Sequence, residues 1–167
     1  MPGDTYRYCP RCATSLIEKQ IYNMPRQVCP ACGFIYFLEP KLVTLVVVQH
    51  EGKLLLGRRN IDPAKGAWSF FGGYVERGEK VEVAALREVK EETNLDVQLE
   101  HLIGIYSENG LPHVVIAYQA SIVCNDISKM AAQPDEVSEL AFFTLDDLPD
   151  LAFPTDEHIV DYLKTHA

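Results

Sequence analysis

Three carboxylates, Glu88, Glu91 and Glu92, stand three and four residues apart in the stretch from Lys80 to Thr93, which is rich in helix formers and holds neither Gly nor Pro. On a helical projection of about 100° per residue, Val81, Ala84, Ala85, Glu88 and Glu92 share one stripe, with Glu91 and Val89 at its edges. A glutamate-rich helix ordinarily turns its charge toward water. Here the charge continues the apolar side, where carboxylates one turn apart repel by about 0.2–0.5 kcal/mol per pair even when solvated. A cation is therefore expected among them. Hard carboxylate oxygens select magnesium, manganese or calcium, and magnesium bridges readily to phosphate oxygens. Arg87 is the one cation inside the cluster and neutralises only part of it. Upstream, Gly72 and Gly73 let the backbone approach a ligand closely, and their carbonyls are candidate further ligands.

A second constellation lies at Cys9, Cys12, Cys29 and Cys32: two C-x-x-C pairs with sixteen residues between them, on the turns CPRC and CPACG. This spacing suits a tetrahedral zinc ion. Two disulfides are the alternative, disfavoured in a reducing compartment, and iron is a minor one. A closed four-sulfur site leaves no position for substrate, so the zinc is expected to be structural. The stretch resembles a zinc ribbon. Such ribbons often bind nucleic acid, but only Arg7, Arg11, Lys19 and Arg26 are basic here, which favours a scaffold or dimer-contact role. The fifth cysteine, Cys124, ends an apolar strand and is expected to be a buried free thiol.

From Gly73 to Leu95 the chain reads GYVERGEKVEVAALREVKEETNL, which resembles the Nudix signature G-x5-E-x7-R-E-U-x-E-E-x-G-U, U being a bulky aliphatic residue. One position departs. Asn94 replaces the last glycine, at a helix end where a left-handed backbone is expected and Asn is the next best tolerated residue. The resemblance, which extends over about residues 40 to 150, implies a hydrolase of diphosphate linkages. It implies that Glu88, Glu91 and Glu92, with the carbonyl of Gly72, hold catalytic magnesium or manganese, Glu88 being the base or the ligand nearest the attacking water. It implies that Arg87 and Glu79 pair to orient the helix carboxylates. Outside the signature, Glu136 occupies a place from which such enzymes add a ligand or base, with surface decoration as the alternative. Arg58 or Arg59 is a candidate contact for phosphate or a distal ribose, with a solvated strand edge as the alternative, and Gly73 completes the expected substrate-binding set.

Several elements must position these groups. TLVVVQH and LLLGRR, joined by the tight turn EGK, read as a hairpin; FFGGYVERGE is a short strand and a Gly-punctuated loop leading into the acidic helix. Trp68, the single tryptophan, reads as a loop anchor. DVQLEHLIGIYS and HVVIAYQASIVC form two long strands around Asn109 and Gly110, ELAFFTL a further strand, and Thr155 to Thr165 a terminal helix capped by Thr155. The fold class is mixed (α+β/α/β): an α/β/α Nudix sandwich with a mixed sheet, at residues 39–167, preceded by a small four-cysteine zinc ribbon at residues 1–38.

A chain of 167 residues with 47% apolar content supports one such core plus an accessory module. Its formal charge of −9 argues against holding nucleic acid by phosphate neutralisation, so the expected partner is a small nucleotide arriving with metal ions. The longest strongly apolar run, Leu42 to Val48, is too short to span a bilayer, and no secretory signal is visible, so a cytoplasmic setting is expected. Homodimers are common among enzymes of the kind this chain resembles, and the ribbon is a candidate part of such an interface. A ribbon before a Nudix domain is similar to the NADH pyrophosphatase arrangement, but that subgroup's downstream S-Q-P-W-P-F-P-x-S motif is absent. ADP-ribose or FAD is therefore the favoured substrate, with NADH behind them. The alternative is a non-catalytic nucleotide sensor whose ribbon binds a partner.

Overall fold

The computed structural model describes residues 6–166, which form two compact units divided at Pro40 and Lys41. In the first unit, β1 (Ile17–Ile21), β2 (Met24–Val28) and β3 (Ile35–Tyr36) make an antiparallel three-stranded sheet. The two cysteine turns repeat one geometry. Ala13 N–H donates to Cys9 O and Gly33 N–H to Cys29 O, and both closing residues adopt a left-handed backbone, at φ 57° and 73°. Glycine meets that demand without steric cost in the second turn, whereas the first uses alanine.

The second unit is built on a seven-stranded mixed sheet. Strands β4 (Lys41–His50), β5 (Lys53–Arg59), β6 (Trp68–Ser69), β7 (Phe71–Tyr74), β8 (Val97–Tyr106), β9 (His113–Ile122) and β10 (Val137–Phe143) contribute, with the main order β10-β5-β4-β9-β8. β4 runs parallel to β9 along one side. On the other, its first half pairs with β7 and its second half with β5. The β4–β5 connection is the expected tight turn, with Glu51 and Gly52 both at positive φ.

The continuous apolar runs of β4 and β5 are explained by burial on both faces. Leu45, Val47, Leu54 and Leu56 pack with Ile159, Val160 and Leu163 of α2 (Pro154–His166). Val46, Val48 and Leu55 point the opposite way and pack with Ala85 and Val89 of α1 (Val81–Thr93). One helix thus covers each face, giving the expected α/β/α sandwich. Trp68 is half-buried and packs edge-on against Phe143 at 4.9 Å between ring centroids, the anchor its position suggested.

Two local expectations are corrected. Thr155 does not cap α2: the helix starts one residue earlier, with Pro154 in its first position, where a missing N–H costs nothing. Asp156 instead reaches back, its Oδ2 accepting the Phe153 amide at 3.2 Å, as the third residue of a capping box does. Cys124 is exposed and sits in a left-handed conformation at φ 54°, because β9 ends at Ile122 and the chain turns there. Among the described residues no helix is long and apolar enough to cross a membrane.

Ile159 is fully buried where α2 meets the sheet. Ile159→Ala is expected to destabilise the second unit by about 2–5 kcal/mol, measured by denaturant unfolding.

Candidate functional site

The acidic helix is steered by its own backbone neighbours. Ala84, Ala85 and Val89 are sealed against the sheet, which leaves Glu88 and Glu92 on the flank facing β7 and places Glu91 at the solvent edge. Gly72 N–H donates to Glu92 Oε2 at 3.0 Å. A Cβ on Gly72 would run into the Thr44 carbonyl oxygen, and one on Gly73 would meet the Glu88 carboxylate at 2.5 Å. Gly72 is therefore required by the close approach of β4, while a side chain at Gly73 would displace the Glu88 carboxylate.

Arg87 gathers the cluster. Its Nε and Nη2 donate to the two carboxylate oxygens of Glu79 at 2.9 and 3.0 Å, while Nη1 donates to Glu88 at 2.7 Å and to Glu91 at 3.1 Å. Nη2 also reaches the Tyr74 carbonyl, at 3.2 Å. The Arg87 hydrogen bonds hold the Glu79 carboxyl below its usual range. The guanidinium itself is pushed above its ordinary value, first by Glu79 and then, against the opposing effect of burial, by Glu88. Glu92 has no such cation. Burial pushes it up to about 8, against the opposing hydrogen bond from Gly72, and the charges of Glu88 and Glu136 add to the rise. Burial likewise raises Glu88, with Glu91 and Glu136 contributing.

Glu136 enters this field through a tied-down loop. Asn94, left-handed at φ 58° as its place required, donates its side-chain amide to Lys129 O at 2.8 Å. Ala131 N–H and Gln133 N–H then donate to the carbonyls of Thr93 and Glu92 at 2.9 and 3.2 Å. On the far side, Asn60 N–H donates to Glu136 O at 2.7 Å.

The paired arginines part company. Arg58 is paired on both sides, with Glu139 of β10 and Trp68 of β6, and turns its side chain to solvent, where it contacts Glu139 at 3.5 Å and Gly66 O at 3.1 Å. Arg59 turns into a cavity of about 390 Å³, its guanidinium 4.9 Å from the Phe153 ring centre and its Nε on Pro63 O at 2.8 Å. That cavity opens onto Gly72 and Gly73 and is walled by Phe70, Tyr106, Leu111 and Val115. Sequence reasoning missed its other polar members. His113 lines it and shares a hydrogen bond with Tyr74 at 3.2 Å. Asp156 lines it while fully buried.

In the first unit the sulfurs of Cys9, Cys12, Cys29 and Cys32 all lie within 4.8 Å of one another and form no disulfide. The Cys9–Cys32 and Cys12–Cys29 separations, 3.6 and 3.4 Å, approach the roughly 3.8 Å edge of a zinc tetrathiolate with 2.3 Å bonds. Arg11 N–H and Cys32 N–H point at Cys9 Sγ and Cys29 Sγ, both at 3.4 Å, as they would to stabilise thiolates. The cluster fits a zinc ribbon.

This site and fold define a class, and comparison with known proteins agrees. The family model described as NUDIX domain matches residues 39–163. The chain belongs to the Nudix hydrolase family. It is 34% identical over 132 residues to an ADP-ribose pyrophosphatase of Methanocaldococcus jannaschii, covering 77% of this chain and 76% of that protein. It is 32% identical over 165 residues to the NAD-capped RNA hydrolase NudC of Stutzerimonas stutzeri, covering 95% of this chain but only 54% of the relative. A crystal structure of a NUDIX hydrolase from Nitrosomonas europaea superposes with a TM-score of 0.85 at 28% identity, covering 95% of this chain and 89% of that one.

Two measurements follow from the geometry. Burial pushes Asp156 up to about 7, with Glu157 reinforcing the rise and the Phe153 and Phe70 amides and Arg59 opposing it. The folded state therefore binds this proton more tightly than the unfolded one. The associated stability is present below the unfolded value of about 4 and is lost as pH rises through about 7. Relative to Asp156→Asn, the parent should lose on the order of 4 kcal/mol across that window, read from paired denaturation curves. For the cysteine cluster, elemental analysis should find about one zinc per chain, and Cys29→Ser should lower it severalfold.

Proposed function

We propose that this protein hydrolyses the diphosphate linkage of an ADP-containing nucleotide, ADP-ribose first, giving AMP and ribose 5-phosphate. One observation carries the reading: buried, like-charged carboxylates surround Gly72 and Gly73 at the mouth of a cavity of nucleotide size. The residues fit a hard divalent cation, since Glu88 and Glu92 supply oxygen donors whose crowding is relieved only in part, by Arg87 at Glu88 and by the charge of Arg59 at Glu92. Glu88, Glu91, Glu92 and Glu136, with the Gly72 carbonyl, would hold magnesium or manganese. When bound, the metal neutralises diphosphate charge and makes water more acidic.

The chain's own groups do the rest. Arg87, anchored on both oxygens of Glu79, fixes the Glu88 carboxylate; Glu88 is placed to take the proton of the attacking water. The water oxygen bonds to one phosphorus, the bridging P–O bond breaks, and the leaving phosphate takes the pair of electrons. The glycines keep side chains away from the reacting phosphate. Arg59, turned into the cavity, contacts the substrate there, whereas Arg58 faces solvent beside Glu139.

Support for ADP-ribose comes from the Methanocaldococcus relative of that name, which shares the Nudix portion. The NudC relatives carry NAD-capped RNA in their name, and NAD also contains an ADP half; the net charge of −9 favours a small nucleotide over a long RNA. The test is AMP release from ADP-ribose, FAD, NADH and NAD-capped RNA with magnesium. ADP-ribose should be cleaved fastest, and Glu92→Gln and Glu88→Gln should each lower kcat by about 100-fold or more. No AMP release from any of the four, or parent-like rates in both variants, would sink the proposal.

A further inference from the structure

The two flanks of α1 differ. Glu88 and Glu92 leave it toward β7, whereas Leu86, two residues before Glu88 and so about 200° away around the helix, leaves it on the opposite side. That side leans over β9 and β8: the Tyr118 hydroxyl meets the Glu82 carboxylate, and Tyr118 lies beside Leu102 in the strand register. Ile105, paired with Ile116, shares this face of the sheet and is 65% exposed. Leu102, Leu86 and Val83 are exposed as well. Among the described residues no segment covers these four side chains, and a contiguous apolar patch on a protein surface marks an interaction site.

The strand itself narrows what can dock. β8 lies at one end of the sheet order, and a free edge ordinarily invites another strand. Its register shifts twice, between Leu99 and His101 and between Leu102 and Gly104. Such irregularities bend a strand, so an extended peptide finds no straight edge to lengthen. Contact through the face remains.

The charges on α1 then select the occupant. Glu82, Leu86 and Lys90 follow one another at four-residue spacing, all exposed, with an acid one turn before the leucine and a base one turn after it. A purely acidic or purely basic partner is repelled by half of this stripe. A helix bearing the same three residues in the reverse direction matches both halves, and a second copy of this chain carries that helix. Lys90 stands 3.0 Å from Asp96, but both groups are solvated, and such a pair contributes little that an exchange of partners would lose.

We infer that this protein forms a two-fold homodimer in which the outer stripe of α1 (Glu82, Val83, Leu86 and Lys90) and the uncovered face of β8 (Leu102 and Ile105) pack against the same surface of a second copy. The axis passes near Leu86, so that Glu82 of each copy faces Lys90 of the other. Apolar side chains fill the centre and opposite charges the rim, the usual composition of such a contact. The carboxylates on the far flank of α1 stay open, and the assignment does not depend on which nucleotide is hydrolysed.

Sedimentation equilibrium of the full, zinc-loaded chain tests this. At about tens of micromolar the mass should be twice the 18.8 kDa of one chain. Ile105→Glu and Leu86→Glu place a charge in the apolar centre and should each weaken dimerisation by about tenfold or more. Both positions are exposed in the single chain, so circular dichroism should show an unchanged fold. Glu82→Lys and Lys90→Glu should each weaken it by about threefold or more, and the double variant should regain most of the loss, because the stripe is then reversed in both copies.

A single-chain mass at every concentration overturns the assignment. So does a dimer that Ile105→Glu and Leu86→Glu leave intact, which would place the contact elsewhere, as on the ribbon. A double variant that associates no better than its single parents overturns it too, since only a self-complementary stripe is restored by the exchange.

Discussion

Everything at the acidic helix depends on one guanidinium. Arg87 holds Glu79 with two nitrogens and touches Glu88 and Glu91 with a third, so three negative charges are oriented by one positive one. Bidentate geometry is what allows this, because a planar fork fixes direction where an ammonium would only supply charge. Glu92 is left out of the arrangement and takes its hydrogen bond from the Gly72 amide, with Arg59 acting on it only through its charge. The cluster is therefore only partly neutralised, which keeps its affinity for a further cation while preventing the helix flank from being driven apart.

That flank can exist only because the sheet holds β7 in place. β4 gives its first half to β7 and its second half to β5, so the loop glycines lie beside a strand that is sealed on both faces. The same division separates two sets of acidic groups. The carboxylates come from the α1 side of the sheet and Asp156 from α2 on the other, and the strands between them are too tightly packed to let either drift.

The sequence carried much of this because several patterns were local. Apolar runs in β4 and β5, the turn at Glu51–Gly52, the helix from Val81 to Thr93 and the paired cysteines are all set by residues close in the chain. What could not be read was decided by distant contacts. Arg58 and Arg59 are adjacent in sequence, yet their fates are settled by Glu139 on one side and Phe153 on the other. Asp156 is an acid in the first turn of α2, and its burial follows from how that helix lies on the sheet. Cys124 was placed in a strand that stops two residues earlier. A hint was present in FPTDEH, where Pro suits the first helical position and the acid two residues later supplies the back-reaching half of a capping box, which would have moved the helix start back to Pro154.

The asparagine at position 94 does more than tolerate a left-handed backbone. Glycine would satisfy the turn equally well, but it could not supply the amide that fastens residue 129. In this chain the end of the helix and the loop bearing Glu136 are joined by a side chain that the family's usual residue lacks. Among relatives, the identity of this one residue and the length of that loop should therefore change together through evolution, since a graft of either alone would leave the loop held only by its backbone bonds to the helix end and by Asn60.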